Sequence, residues 1–240
     1  MKNKEIIIDG IKYEVDKLSD LNYTLEKMND YISKVGFEKS IRSQKFIRHL
    51  HICIALKLNK ELNIPSESIH FEVKLKNKNI DIGIIEENEI KFAISIRSQS
   101  SSIKKNFTNN VNSLQGEVVS LKSSYPGLKV GVIYVLKKTD IDTKDDCWKY
   151  YEQMLPRKLL PLINTNIPTN DRFDAASIII WDINEKTNKV ELFSNIITQT
   201  YNIDTFMNDV KEIMSESKIK SQFSVSEMDE ELLRKFLSSN

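Results

Sequence analysis

The stretch Ile80-Asp81-Ile82-Gly83-Ile84-Ile85 turns through Glu86-Glu87-Asn88-Glu89 and returns as Ile90-Lys91-Phe92-Ala93-Ile94-Ser95-Ile96-Arg97. Both arms alternate with a period of two, the pattern of a strand with unlike faces. In the first arm Ile80, Ile82 and Ile84 share one face, and Asp81 and Gly83 take the other. In the second arm Phe92, Ile94 and Ile96 share one face, and Ala93, Ser95 and Arg97 take the other. A hairpin sets the two small or polar faces side by side. It is expected to bring Asp81 to Arg97, with Gly83 and Ala93 leaving room for something to approach.

Downstream, Ser100 to Ser102 offers a helix N-cap. Ile103, Phe107, Val111, Leu114, Val118 and Leu121 then form an apolar stripe that predicts a helix over 103–123. Tyr125-Pro126-Gly127 stops it, and the nearly all-apolar run 130–136 predicts a strand buried on both faces. The strand–helix–strand step is expected to be a right-handed parallel crossover. On the helix, Asn106, Asn110 and Glu117 flank the stripe, so Glu117 can look along the sheet edge. Two carboxylates, Asp81 and Glu117, beside a cation are what a hard divalent ion such as Mg²⁺ requires, with water and a phosphate oxygen completing its shell.

Working outward, Asp9-Gly10 predicts a hairpin over 5–15. Helices are expected over 20–34 and 37–62, the second being the longest, with Arg42, Lys45 and His49 on its polar side. A strand is expected over 69–75. After the core come a helix over 144–163 interrupted by Pro156 and Pro161, a buried strand over 176–183, a strand over 189–193 and a helix over 204–215. Residues 217–224 resemble a linker, and 226–237 a short amphipathic helix. The order predicts an α/β fold, a mixed central β-sheet flanked by helices, as a single domain over 1–216 with residues 217–240 appended.

The 240-residue chain is 40% hydrophobic, enough for a real core. Its net charge of +1 excludes a global field that would draw it to nucleic acid or membrane, so any DNA contact must be local. Lys is the default cation and Arg occurs only six times, which makes each Arg more informative. The two cysteines form no disulfide framework and no metal-ligand spacing, and Cys53 sits in an apolar helical run as a small core residue. The start of the chain does not read as a signal peptide and no apolar run approaches membrane-spanning length, so a cytoplasmic protein is expected. His70 stands alone, and Trp148, Tyr150 and Tyr151 are expected to pack a core. No Gly-rich phosphate loop, Gly-x-Ser-x-Gly elbow or Cys/His catalytic pairing is present.

Residues 71–136 resemble the core of the PD-(D/E)xK nuclease superfamily, type II restriction endonucleases in particular, with the core helix starting at 37. Asn79-Ile80-Asp81 stands where that family has Pro-Asp, and Ser95-Ile96-Arg97 stands where it has acid-x-Lys. Some members carry Ser-x-Lys and supply the missing acid from the following helix, where Glu117 stands. The resemblance implies a Mg²⁺-dependent, sequence-specific double-stranded DNA endonuclease of the restriction class, working as a homodimer. Asp81 and Glu117 would hold the metal, with Glu72 as an alternative acid. Arg97, with Ser95 beside it, would contact the scissile phosphate, and Lys105 or Lys104 would stand in for the family's Lys, although on an ideal wheel Lys105 points away from the core and is more easily a backbone-phosphate contact. Arg42, Lys45 and Lys104 would contact DNA phosphates. Arg stays protonated and cannot act as a general base. That replacement favours the rival expectation, a catalytically inactive DNA- or protein-binding subunit of a defence system.

Overall fold

The computed structural model describes residues 5–41, 43–75, 78–163, 169–187 and 189–216. Asp9 and Gly10 both take positive φ (50° and 79°), as a two-residue hairpin turn demands, and join β1 (Glu5–Ile8) to β2 (Ile11–Glu14). Asp20 caps α1 (Leu21–Val35) by accepting the Tyr23 N–H at 3.0 Å. The single helix expected over 37–62 is two: α2 (Phe37–Ile41) and α3 (Gln44–Leu62). Ser43 is the cause, because its backbone is extended and its hydroxyl accepts the Lys45 N–H at 3.2 Å, starting a new helix instead of continuing the old one. Asn63, in the left-handed conformation, closes α3.

Six strands form the main sheet: β3 (Ile69–Leu75), β4 (Lys78–Glu86), β5 (Glu89–Gln99), β6 (Lys129–Lys137), β7 (Ala175–Asn184) and β8 (Lys189–Phe193). They lie side by side in chain order. β3, β4 and β5 are antiparallel, β5 to β6 and β6 to β7 are parallel, and β8 returns antiparallel. α4 (Ile103–Ser124) makes the crossover between β5 and β6. The helix expected over 144–163 is only α5 (Trp148–Met154), followed by a π turn and a 3₁₀ turn that carry Pro156 and Pro161. α6 (Ile196–Thr200) and α7 (Ile203–Glu216) follow β8. The linker and terminal helix expected over 217–240 lie outside the described residues. The fold is therefore α/β, a mixed sheet flanked by helices.

Each face of the sheet has its own core. On one side Phe71, Ile82, Ile84, Phe92, Ile94 and Ile96 pack with α1, α3, α7 and the β1–β2 hairpin. On the other, Val73, Ala93, Val130, Val132 and Tyr134 pack with α4 and α5. Enclosure between the sheet on one side and α1 with β2 on the other buries every residue of α3 from His49 to Leu56. That corrects the polar side expected for His49. It is 2% exposed, with the Tyr13 hydroxyl hydrogen-bonded to its Nδ1 and the Tyr31 ring against it. Cys53 is fully buried in this layer as expected, and burial pushes its thiol up to about 11. Trp148, Tyr150 and Tyr151 pack as expected, the two tyrosines against Phe107 and the tryptophan against Phe193.

The hairpin departs from simple alternation twice: at a register shift between Ile84 and Ile85, beside which Ile90 and Phe92 pack on opposite faces, and at the rung of Asp81. Ile80 packs with the α4 layer although Ile82 and Ile84 pack with the α3 layer, and across from it Phe71 and Val73 divide in the same way. Both strands change faces between the pairs Phe71↔Ile82 and Val73↔Ile80, at Glu72 and Asp81. Glu72 takes a φ of 49°, which a β-strand residue with a Cβ adopts only at a bulge or under constraint. The switch also corrects the expected opening at Gly83. A Cβ there would lie 2.7 Å from Val73 Cγ2, so this chain's own valine fills the space. Ala93 is likewise buried in the α4 core.

Candidate metal centre

The rung where the strands change faces is also where charged groups gather. Asp81 Oδ2 accepts the Ile96 N–H at 2.6 Å, replacing a ladder bond with a side-chain bond. The same oxygen lies 3.4 Å from Arg97 Nη1. Arg97 Nη2 donates to Glu117 Oε2, which α4 brings in from the layer above. Asp81, Arg97 and Glu117 thus meet, with Arg97 between the two acids. The two carboxylates expected to share a metal each face the guanidinium.

The atoms that come together as a possible ligand set are different. His51, Glu72 and Asp81 each offer one ligand atom, and these atoms all lie within 4.8 Å of one another. His51 Nε2 is 3.6 Å from Asp81 Oδ1, and His51 Nδ1 is 3.9 Å from Glu72 Oε1. Both separations exceed a hydrogen bond. They also run to different ring nitrogens, and one ion takes only one of them; the set with one atom per residue spans up to 4.8 Å, and cis ligands of an octahedral ion with bonds of about 2.1 Å stand roughly 3 Å apart, so the side chains must close on an ion to share it. His51 projects from α3 beneath the sheet, its ring 6.2 Å from that of Phe71 between centroids. Glu72 was the alternative acid in the sequence reading, and the structure sets it beside Asp81. His51 was missed there. The available signal was a histidine between Leu50 and the wholly apolar run Ile52-Cys53-Ile54-Ala55-Leu56, on the helix that precedes the acidic strand.

The remaining predicted residues divide by environment. Ser95 is buried, and its hydroxyl has no hydrogen-bond partner among the described residues. Glu117 is buried too, and its Oε1 likewise lacks a hydrogen-bond partner. Tyr134, Arg97's neighbour on β6, donates its hydroxyl to Gln99 Oε1 at 2.7 Å. Burial raises the Tyr134 phenol well above its ordinary range, while Asn110 and the Arg97 charge pull the other way.

Of the expected phosphate contacts, Lys45 Nζ lies 3.5 Å from Asp9 and Lys104 Nζ 2.9 Å from Asp145. Lys105 is exposed on α4, and Arg42 lies outside the described residues. The N-cap expected from Ser100 to Ser102 is supplied from elsewhere. Asp140, 2% exposed in the loop after β6, accepts the Ile103 N–H at 2.6 Å, and Ser102 instead donates to Asp142 at 2.9 Å. The start of α4 is thus already occupied by carboxylates, which would repel a phosphate at the position a helix dipole would otherwise favour.

No helix among the described residues is long and apolar enough to cross a membrane. No family model, no curated protein and no solved structure matches the chain.

Proposed function

We propose that this chain is a divalent-metal-dependent endonuclease of the type II restriction class, hydrolysing phosphodiester bonds in double-stranded DNA. The observation that carries the reading is the convergence of Asp81, Glu72 and His51 beside Arg97, at the end of a β-hairpin braced by helices on both faces. The donor set fits a divalent ion: two carboxylate oxygens and one imidazole nitrogen would hold it, and the Asp81 carboxylate is oriented because its Oδ2 is engaged by the Ile96 N–H. A bound ion supplies charge neutralisation at the scissile phosphate and acidifies attacking water.

The chain's own residues would do the rest. Arg97 is about two-fifths exposed and can turn one edge of its guanidinium to a phosphate while Glu117 holds the other. Asp81 ties the first half of β4 to β5 and keeps the acid and the cation in register. Mg²⁺ is the ion that the resemblance implies, and a palindromic target would call for two copies of the chain.

The test is incubation of pure protein with DNA of varied sequence in Mg²⁺ or Mn²⁺. Cleavage at defined sites is expected, and it should disappear in Asp81→Ala while DNA binding persists. Cutting by that variant would remove Asp81 from the site.

One observation favours a second reading. Arg97 is engaged by both acids and no lysine stands in its place, as in an inactive nuclease fold kept as a DNA- or protein-binding subunit of a defence system. Binding of DNA without cutting on any substrate would select that reading.

A further inference from the structure

We infer that His51, Glu72 and Asp81 form a mixed nitrogen–oxygen metal site that takes Mn²⁺ in preference to Mg²⁺. The inference deepens the proposed function by naming the ion, and it uses the same side chains, but it does not depend on the hydrolytic step.

Three features of the structure lead there. First, the ligand atoms converge from three separate elements, α3, β3 and β4, so the cluster is no accident of neighbouring positions in one element. Second, the Asp81 carboxylate is oriented in advance: Oδ2 takes the Ile96 N–H and faces Arg97, which leaves Oδ1 toward His51. Third, Glu72 and Asp81 sit at the rung where β3 and β4 both change faces, and that switch aims two facing acids at the α3 layer where His51 lies.

The nitrogen decides the ion. Mg²⁺ is selective for oxygen ligands and keeps much of its water, so an imidazole adds little to its binding. Imidazole suits transition ions such as Zn²⁺, Cu²⁺, Fe²⁺ and Ni²⁺; Mn²⁺ is the weakest binder of that series and takes oxygen ligands as Mg²⁺ does, but as a transition ion it accepts a nitrogen more readily than Mg²⁺. A site with two carboxylates and no histidine would hold the two ions with similar affinity. Replacing one oxygen by a buried imidazole favours Mn²⁺. The rival arrangement is an imidazolium held between two carboxylates, a purely structural cluster that binds no ion.

The experiment titrates the full chain with Mn²⁺ and with Mg²⁺ by calorimetry, and records the electron spin echo modulation of the Mn²⁺ complex. One equivalent of Mn²⁺ is expected, bound roughly tenfold or more tightly than Mg²⁺. The echo spectrum should carry ¹⁴N modulation from a directly bound imidazole, and His51→Gln should abolish that modulation and narrow the preference. Loss of outer-shell partners already weakens metal sites by about 10- to 100-fold, so Asp81→Asn should weaken Mn²⁺ by at least that much.

Absence of Mn²⁺ binding, or a bound ion with no ¹⁴N coupling in the unaltered chain, overturns the inference, and neither result depends on a variant folding. Equal affinity for the two ions overturns it as well. A nitrogen-coupled Mn²⁺ with no DNA cleavage retires the nuclease reading and leaves the site standing. Cleavage in Mg²⁺ without nitrogen coupling does the reverse.

Discussion

Arg97→Ala separates the two ways in which a cation can serve a metal centre. The guanidinium lies 3.4 Å from Asp81 Oδ2 and donates to Glu117 on its other side. An ion held through Asp81 Oδ1 would sit roughly 6 Å from it, close enough for direct repulsion. The Arg97 side chain is 39% exposed, so water screens its charge and an effective dielectric of about 40 to 80 applies. At that distance a divalent ion and a unit charge repel by about 1.4 to 2.8 kcal/mol. Removing Arg97 should therefore tighten Mn²⁺ binding by roughly 10- to 100-fold, and freeing the Glu117 carboxylate pushes in the same direction.

The same substitution should lower stability, because Glu117 would lose its charged partner inside the α4 layer. Breaking a fully buried pair costs about 3 to 5 kcal/mol, and the exposure of Arg97 brings the expected loss to about 1 to 3 kcal/mol. Urea denaturation reads the stability, and calorimetry at fixed salt reads the affinity. Arg97→Ala combined with Glu117→Gln restores a neutral pair of sites and keeps the comparison usable if the single variant is too unstable. A folded Arg97→Ala protein that binds Mn²⁺ as well as or worse than the unaltered chain would refute the competition argument. In that case Arg97 organises the Asp81 carboxylate and does not compete for it.

Other substitutions probe the frame around the site. Burial lowers the His49 imidazole to about 4, with Arg48 adding a smaller push, so the folded state resists a proton that the unfolded state accepts near 6.5. Stability should thus be unaffected by His49 above that pH and fall by about 3 kcal/mol as pH drops from about 6.5 to 4; a chemical-denaturation series should show a shallower fall in His49→Gln. Asp140→Ala should cost roughly 2 kcal/mol or more in urea, since it strips acceptors from the Ile103, Asp142 and Thr143 amides together, while Asp140→Asn should recover part of the loss. Gly131→Ala should cost about 1 to 3 kcal/mol by thermal or urea unfolding, because the added Cβ would lie 2.8 Å from both Phe92 and Phe206 ring atoms.

Much of the fold was legible because its strands are local and strongly patterned. The hairpin at Asp9-Gly10, the apolar run of β6 and the stripe of α4 each show their period over a few residues, and the structure keeps all three. The errors came where a distant segment changed a local rule. Ser43 had the chemistry of a cap but sat inside an unbroken apolar period, so the helix was read through it. Ser102 looked like a cap, yet its side chain caps nothing, and Asp140, thirty-eight positions later, accepts the first amide of the helix. Ile80 obeyed the alternation of its strand in the sequence and broke it in space, because the positive φ of Glu72 turns the facing strand over at that rung.

The site divides along the same line. Asp81, Arg97 and Glu117 were legible as neighbours because strand period and helix wheel are both short-range constraints, and the ion pairs among them follow. Their division of labour was not legible, since it depends on which acid the guanidinium claims. Arg97 reaches both acids, and the lone pairs of Asp81 that remain free face α3. Two histidines two positions apart, His49 and His51, lie on different faces of a helix. That spacing is what lets the buried α3 use both: His49 turns toward Tyr13 and His51 toward the sheet. A helix enclosed on both sides has no solvent face on which to discard a polar residue, so each buried histidine in it must be satisfied by something. For His49 that is a tyrosine hydroxyl; for His51 the structure offers two carboxylates, and the ¹⁴N signal of a bound Mn²⁺ decides whether they hold a proton or a metal.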